Sequence, residues 1–543
     1  MAVLPAESEA GADSAGCYDC ALYPASLPDL PDKYDDPALR RAFHSAGMGG
    51  IQKEKSRQKG GIIIMKIFLT ILITVFLVLA ALLIAALIHT LCIPKKVSDY
   101  KPHPDEKRSK KYAGKLSRMV AYDTTSHQGI HDSEKFLGFH RLLTELFPLV
   151  HQKMEKTEID GNLLFKWEGR NHDKPIVLMS HQDVVPAEGE WIHDPFSGDI
   201  ADGKIWGRGA SDTKCSVMGF FQAAEELLAE GFVPEQDVYL SSSCTEEWAG
   251  DGCPKLVEEL KRRGVRPYLV CDEGGGIITD PIGGIKGNFA MVGVFEKGKA
   301  DVQFTAKGNG GHASAPSPGS PIARLAAFEN SVEKHNPFRV KMLPEVSAMF
   351  RTLGPYASFG LRYLFENLWL FQGLLTHIMP AISAQGAAML RATIAFTMQS
   401  GSDAVNVIPQ EASVSANMRF IPHQGMEESL KIIRKRAEKY GLSMSVLYQS
   451  DYTKPVDIHG DAFHMVQDVI AQTFDGMTGN PYVMTGATDS RFYQEICDNV
   501  IRFAPVIYGP EQMRGMHGVN ENIECNCLPG CVDFYKNLIC AQK

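Results

Sequence analysis

From Ile67 to Ile93 the chain reads IFLTILITVFLVLAALLIAALIHTLCI, a run in which no residue carries a fixed charge and only His89 can titrate. The hydrocarbon core of a bilayer is ~30 Å thick and takes ~20 apolar residues as a helix, so this run is long enough to span with some tilt. A cleavable signal sequence is the rival reading, because Met65-Lys66 directly precedes the run and would serve as a start. Signal cores are shorter, ~7–15 residues, which favours an uncleaved transmembrane anchor. Basic residues flank both ends (Lys53, Lys55, Arg57, Lys59 and Lys66 before; Lys95, Lys96, Lys101, Lys107 and Arg108 after). The positive-inside rule therefore gives nearly a tie. One early anchor most simply leaves a short cytoplasmic N-terminus and an extracellular or lumenal main domain, secreted if the segment is cleaved. No Asn-x-Ser/Thr sequon adds support for that side.

Residues 1–61 are rich in small and polar residues without sustained periodicity and read as a disordered tail ahead of an anchor at 62–93. Cys17-x-x-Cys20 in that tail has no second pair at zinc-finger spacing. The rest of the chain is long enough to bury a large core, and 44% hydrophobic with 22% charged residues is ordinary for a folded protein. The formal charge is −9 and no dense basic run occurs, which argues against a nucleic-acid partner.

Three apolar runs are each followed at once by a polar cluster. Pro175–Ser180 leads into His181-Gln182-Asp183, Val238–Leu240 into Thr245-Glu246-Glu247, and Tyr268–Val270 into Cys271-Asp272-Glu273-Gly274-Gly275. Between them, Lys214–Glu230 and Pro254–Arg263 carry apolar residues on a helical period and stop at Gly231 and Gly264. Strands alternating with helices predict an α/β fold with a mainly parallel sheet covered on both faces. Ligands bind beyond the carboxyl ends of such strands, where all three clusters fall.

The chemistry available there is that of a metal site. His181 and Asp183 point the same way in extended chain, and a carboxylate beside a histidine orients it as a ligand. Asp212 lies in a Gly-rich turn (Gly207-Arg-Gly-Ala-Ser-Asp212) just ahead of a helix. Glu246 and Glu247 would repel unless a cation divides their tasks, one binding metal and the other free as a base. Asp272 adds another hard oxygen donor. Mixed His, Asp and Glu donors suit zinc, and a carboxylate shared between two ions suits two-metal hydrolysis. Singly, each residue is more simply a turn former, a solvated acid or a structural histidine; their joint placement is the signal.

The motifs S-H-Q-D-V-V-P, W-G-R-G-A-S-D-T-K, T-E-E and D-E-G-G, in that order, resemble those of the di-zinc metallopeptidase family of aminoacylases, carboxypeptidases and acylamino-acid deacylases. The resemblance covers roughly residues 110–540, and His517 in Arg514-Gly-Met-His-Gly518 matches the family's late histidine. It implies two zinc ions, with Asp212 bridging, His181 and Asp272 on one ion and Glu247 and His517 on the other. It also implies Asp183 as the partner of His181, and Glu246 as general base and acid. The catalytic domain would comprise residues 94–295 and 451–543, interrupted at 296–450 by an α+β lid that also dimerises. Strand-like alternation at Ala300–Lys307 and Ala412–Phe420 agrees with such an insert. By the same resemblance, His312 polarises the scissile carbonyl, often in the partner's cleft. Asn406 and Arg419 hold the substrate's free carboxylate, as the planar guanidinium fork is suited to do, and Arg491 belongs to a further substrate loop.

Within the insert, Met349–Met389 is unusually apolar, with eleven large hydrophobic residues between Phe359 and Leu375. It is lid core or dimer contact, or else a groove for a long acyl chain with Trp369 and Phe371 in its wall. Among the branches of the family the anchor and apolar lid look most like the N-fatty-acyl-amino-acid synthase/hydrolases, with the Gly-X carboxypeptidases next. The expected activity is hydrolysis of N-acyl amino acids, reversible to condensation, or of dipeptides. A membrane-anchored binding protein without catalysis is the alternative from another class. A serine hydrolase is disfavoured because no Gly-x-Ser-x-Gly is present.

Overall fold

The computed structural model describes residues 37–130 and 132–542. A long helix, Pro37–Cys92, opens them, and its stretch Gly61–Cys92 is long and apolar enough to cross a membrane. Residues 37–61 are helical here, which corrects the expectation of an unstructured tail. Ala, Arg, Gln and Lys are good helix formers, and turns added to an existing helix avoid the cost of nucleation. Cys17, Cys20 and the remainder of that tail lie outside the described residues.

The main sheet has eight strands, in the order Glu155–Ile159, Asn162–Trp167, Gln236–Ser242, Asn171–Met179, Leu269–Thr279, Val500–Tyr508, Asn288–Glu296 and Gly479–Met484. The third to sixth of these run parallel, while the first two join antiparallel at one edge. Gln236–Ser242 is buried along its whole length, as expected of a strand covered on both faces. The expected helices are present as Lys214–Ala229 and Gly252–Arg262.

The stretch expected as a lid contains two separate packing units. Thr393–Ser400, Glu411–Phe420, Gly298–Lys307 and Leu442–Ser450 form an antiparallel four-stranded sheet with its own core, including Val302, Phe304, Phe328 and Met418. The apolar helices Pro344–Leu353, Phe359–Glu366, Leu368–Ile382 and Ala384–Leu390 send Met349, Phe350, Phe365 and Leu375 into the core of the main sheet instead. That places an apolar wall beside the strand ends.

Candidate metal centre and its cavity

His181 stands two residues beyond Asn171–Met179 and is 3% exposed. Its Nδ1 is 2.9 Å from the backbone carbonyl oxygen of Asp183 and 3.4 Å from that residue's carboxylate. A donor bond from Nδ1 to this carbonyl leaves Nε2 facing Asp212, 3.2 Å from Oδ1. The Asp183 carboxylate accepts hydrogen bonds from the backbone N–H groups of Glu246 and Glu247 and from Ser126 Oγ. One buried acid thus fixes the loop that carries the glutamate pair.

His517 Nε2 lies 3.3 Å from the other Asp212 oxygen and 3.1 Å from Glu247 Oε2. Asp212 is therefore set between two imidazoles. His181, Asp212 and Glu247 each offer one ligand atom, all within 4.8 Å of one another. His517 adopts a φ of +54°, an uncommon conformation for a histidine and one that concentrates at functional sites. An imidazole–carboxylate set of this kind fits a zinc centre by donor type and spacing.

The electrostatics agree. Burial opposes a charge on His181, but its bonds to Asp183 and Asp212 and the charges of Glu246 and Glu247 together hold its pKa well above the ordinary value. Bonds to Asp212 and Glu247 raise His517 to about 10. Asp212, despite burial, is held well below the usual carboxylate range by the two histidines. Burial pushes Glu246 well up, with Asp489, Glu247 and Asp183 adding to it against His181. Glu247 is raised by burial as well. Acids and imidazoles so crowded need positive charge among them, which a dication held by the same ligands would supply.

Asp272 is not brought into this cluster. Its Oδ1 accepts from the Glu273 N–H and its Oδ2 from the Ser490 N–H, while burial raises its pKa to about 6. The strand does not end at Val270 but continues to Thr279, so Asp272 and Glu273 point to opposite faces. Glu273 is the one that lines the cavity containing Asp212. Burial, then Asp272 and Asp212, hold its carboxyl well above the ordinary value. Beside it, a Cβ at Gly275 would fall 2.4 Å from the carbonyl oxygens of Met291 and Arg502, so only glycine permits this close approach.

A second residue without a sequence signal is Glu521. Wholly buried, it accepts from Arg208 Nη1 at 2.7 Å and from the backbone N–H groups of Gly209, Ser211 and Asp212. Arg208 also donates to the Gly518 carbonyl. This pair clamps the Asp212 turn to the His517 loop.

The lid candidates are placed differently. His312 and Val407 pair on a short two-strand ribbon, and the Ala313 N–H donates to the Asn406 carbonyl. Both His312 and Asn406 are exposed, and the ring of His312 contacts Ser314 rather than the acidic cluster. Arg419 is half-buried and donates to Asn417 Oδ1. Burial lowers its pKa most, Asp301 opposes this, and the nearby Arg491 lowers it further. Nε and Nη2 of Arg491 are buried without a hydrogen-bond partner. Two neighbouring guanidinium groups with unused donors suit a carboxylate ligand.

From Ser211, Asp212 and Glu273 a cavity of about 580 Å³ runs between Phe350, Leu364, Leu375 and Met379. Trp369 and Phe371 are not in its wall. Trp369 is 57% exposed, and Phe371 packs against Tyr363. The cavity is lined by other residues of the same helix, Leu374, Leu375, Ile378, Met379 and Ile382.

The model of Peptidase family M20/M25/M40 matches residues 177–541. An N-fatty-acyl-amino acid synthase/hydrolase PM20D1 from Xenopus tropicalis is 32% identical over 492 residues, 86% of this chain and 94% of that protein. The probable carboxypeptidase S-like 2 of Dictyostelium discoideum is 30% identical over 441 residues, 79% and 84% of the two chains. Among solved structures, the M20 family metallo-carboxypeptidase Sso-CP2 from Sulfolobus solfataricus covers 80% of this chain and 99% of its own, with TM-score 0.58 at 17% identity. A Bacillus subtilis protein described as a dinuclear metal binding peptidase from the M20 family covers 80% and 98%, with TM-score 0.50 at 14% identity. With motifs, fold and histidine–carboxylate cluster in agreement, the chain belongs to peptidase family M20/M25/M40 and is a metallohydrolase.

Proposed function

We propose that the protein hydrolyses the amide bond of N-fatty-acyl amino acids, and that the single observation carrying this reading is the apolar cavity that begins at Asp212 and Glu273 and continues between Phe350, Leu364 and Met379. His181, Asp212, Glu247 and His517 would hold two zinc ions, with Glu273 in the role expected of Asp272. When bound, such a pair polarises the scissile carbonyl and lowers the pKa of a water towards ~7. Glu246 takes the proton of the attacking water as its oxygen bonds to the carbonyl carbon, and returns a proton to the amine as the C–N bond breaks. Arg491 and Arg419, with Asn406, hold the substrate's carboxylate. His312 donates to the carbonyl oxygen from a second copy, joined through the lid. By microscopic reversibility the same groups condense a fatty acid with an amino acid. The Gly61–Cys92 helix anchors the chain in a membrane, with the catalytic domain extracellular or lumenal.

Relatives described as carboxypeptidase S-like support a second reading, cleavage of dipeptides. Rates on N-acyl phenylalanines from acetyl to oleoyl, beside a blocked Gly-Leu dipeptide, separate the two. Each buried CH₂ contributes ~0.8 kcal/mol, so four further methylenes in the cavity raise kcat/KM about 200-fold. A flat chain-length profile with faster dipeptide cleavage would favour the carboxypeptidase.

A further inference from the structure

The cavity wall does not end in the interior. Leu374, Ile378 and Ile382, spaced four apart on the helix Leu368–Ile382, line the cavity and are also 51%, 43% and 75% exposed. Trp369, on the first turn of that helix, is 57% exposed, and the helix contains no Asp, Glu, Lys or Arg. An uncharged helix with a row of exposed large side chains needs a partner that is not water.

The same helix is tied to the end of the apolar run. Asn367, its N-cap and wholly buried, donates through Nδ2 to Ala86 O and Thr90 Oγ1, and its Oδ1 lies 3.0 Å from His89 Nδ1. Tyr363 Oη donates to the carbonyl of Leu83. Ala86 and Thr90 are themselves 0% exposed. A bilayer's hydrocarbon holds about 20 helical residues. The turns that grip Asn367 and Tyr363 belong to the carboxyl end of the apolar run. Tyr and Trp are residues of a membrane interface, and the basic Lys95 and Lys96 follow the run.

We infer that the exposed residues of the helix Leu368–Ile382, Trp369 on its first turn and the row Leu374, Ile378 and Ile382, meet the lipid bilayer, and that acyl substrates enter the cavity from the membrane along that row. This rests on the fatty-acyl reading and on the apolar run being an anchor, and its test is independent of any substrate. The full chain is reconstituted in phosphatidylcholine vesicles with plain or brominated acyl chains, floated, and its tryptophan emission compared with that of Trp369→Phe. The emission attributable to Trp369 should be quenched by the brominated lipid. A chain that floats while Trp369 emission ignores bromine, as when a second copy covers this face, overturns the inference; so does a chain that fails to float. A kinetic readout accompanies it. Trp369→Asp, outside the cavity wall, should raise KM about tenfold for vesicle-borne N-oleoyl phenylalanine, a cost expected of a charge placed at the interface. It should leave kcat, and KM for water-soluble N-acetyl phenylalanine, unchanged. Equal KM shifts on both substrates would overturn membrane entry even if long chains remain preferred.

Discussion

His181 and Asp183 are 3% and 0% exposed and held by the loops around them, whereas His312 stands on an exposed ribbon with Ser314 as its ring's partner. The strand-end half of the site is complete within one chain: Asp183 fixes the glutamate loop, and Glu521 with Arg208 fixes Asp212 against the His517 loop. The lid half presents its groups without bringing them to that centre. Pre-organisation in the first half and accessibility in the second fit the proposed reading, in which a separate step brings the two together. On the proposed reading that is a second copy of the lid.

The largest expected effect lies in the rigid half. Glu246→Gln should keep its metal and lose roughly a thousandfold in kcat, the upper part of the range for general acid–base groups, as measured by steady-state hydrolysis beside metal content. Normal turnover in that variant would remove Glu246 as the base. His312→Ala should lose about a hundredfold, as expected for one donor to a developing oxyanion, with metal content and thermal stability unchanged. Mixing His312→Ala with Glu246→Gln chains sharpens the comparison. Partial recovery of turnover is expected if His312 serves the partner's cleft, and none if it acts within its own chain. Arg491→Ala should raise KM by about tenfold or more, the scale of one charge-assisted hydrogen bond, with kcat little changed. Smallest, Glu521→Gln should weaken metal affinity about tenfold, as outer partners of a metal site typically do. Its metal-free form should also melt below the wild type, because Arg208 loses its buried counter-charge; an unchanged affinity would show that the clamp does not position Asp212.

Much of the rigid half was legible in the sequence because each of its groups follows a recognisable apolar run. The periodicities that mark Asn171–Met179, Gln236–Ser242 and Lys214–Ala229 also deliver His181, Glu246, Glu247 and Asp212 to one edge of the sheet. The choice between Asp272 and Glu273 was not legible. Adjacent acids in a strand face opposite ways, and which one meets the cleft depends on how the strand is set in the sheet. Glu521 was hidden for a different reason, since its partners lie some three hundred positions away in sequence. The apolar insert was visible as an anomaly of composition, but a helix apolar on most sides does not reveal by sequence which side is cavity wall. Trp369 and Phe371 are the bulkiest side chains of that helix, yet Leu375 and Met379 form the wall.

His181, Asp212, Glu247 and His517 converge beside an apolar cavity, where on the proposed reading they hold metal. Elemental analysis of the purified full chain, run together with Asp212→Asn and with oleoyl-phenylalanine hydrolysis before and after chelation, tests it most directly. About two zinc ions per chain are expected, with loss of most metal and activity in Asp212→Asn and recovery of the chelated wild type on adding zinc. A metal-free chain that hydrolyses its substrate at full rate would contradict it.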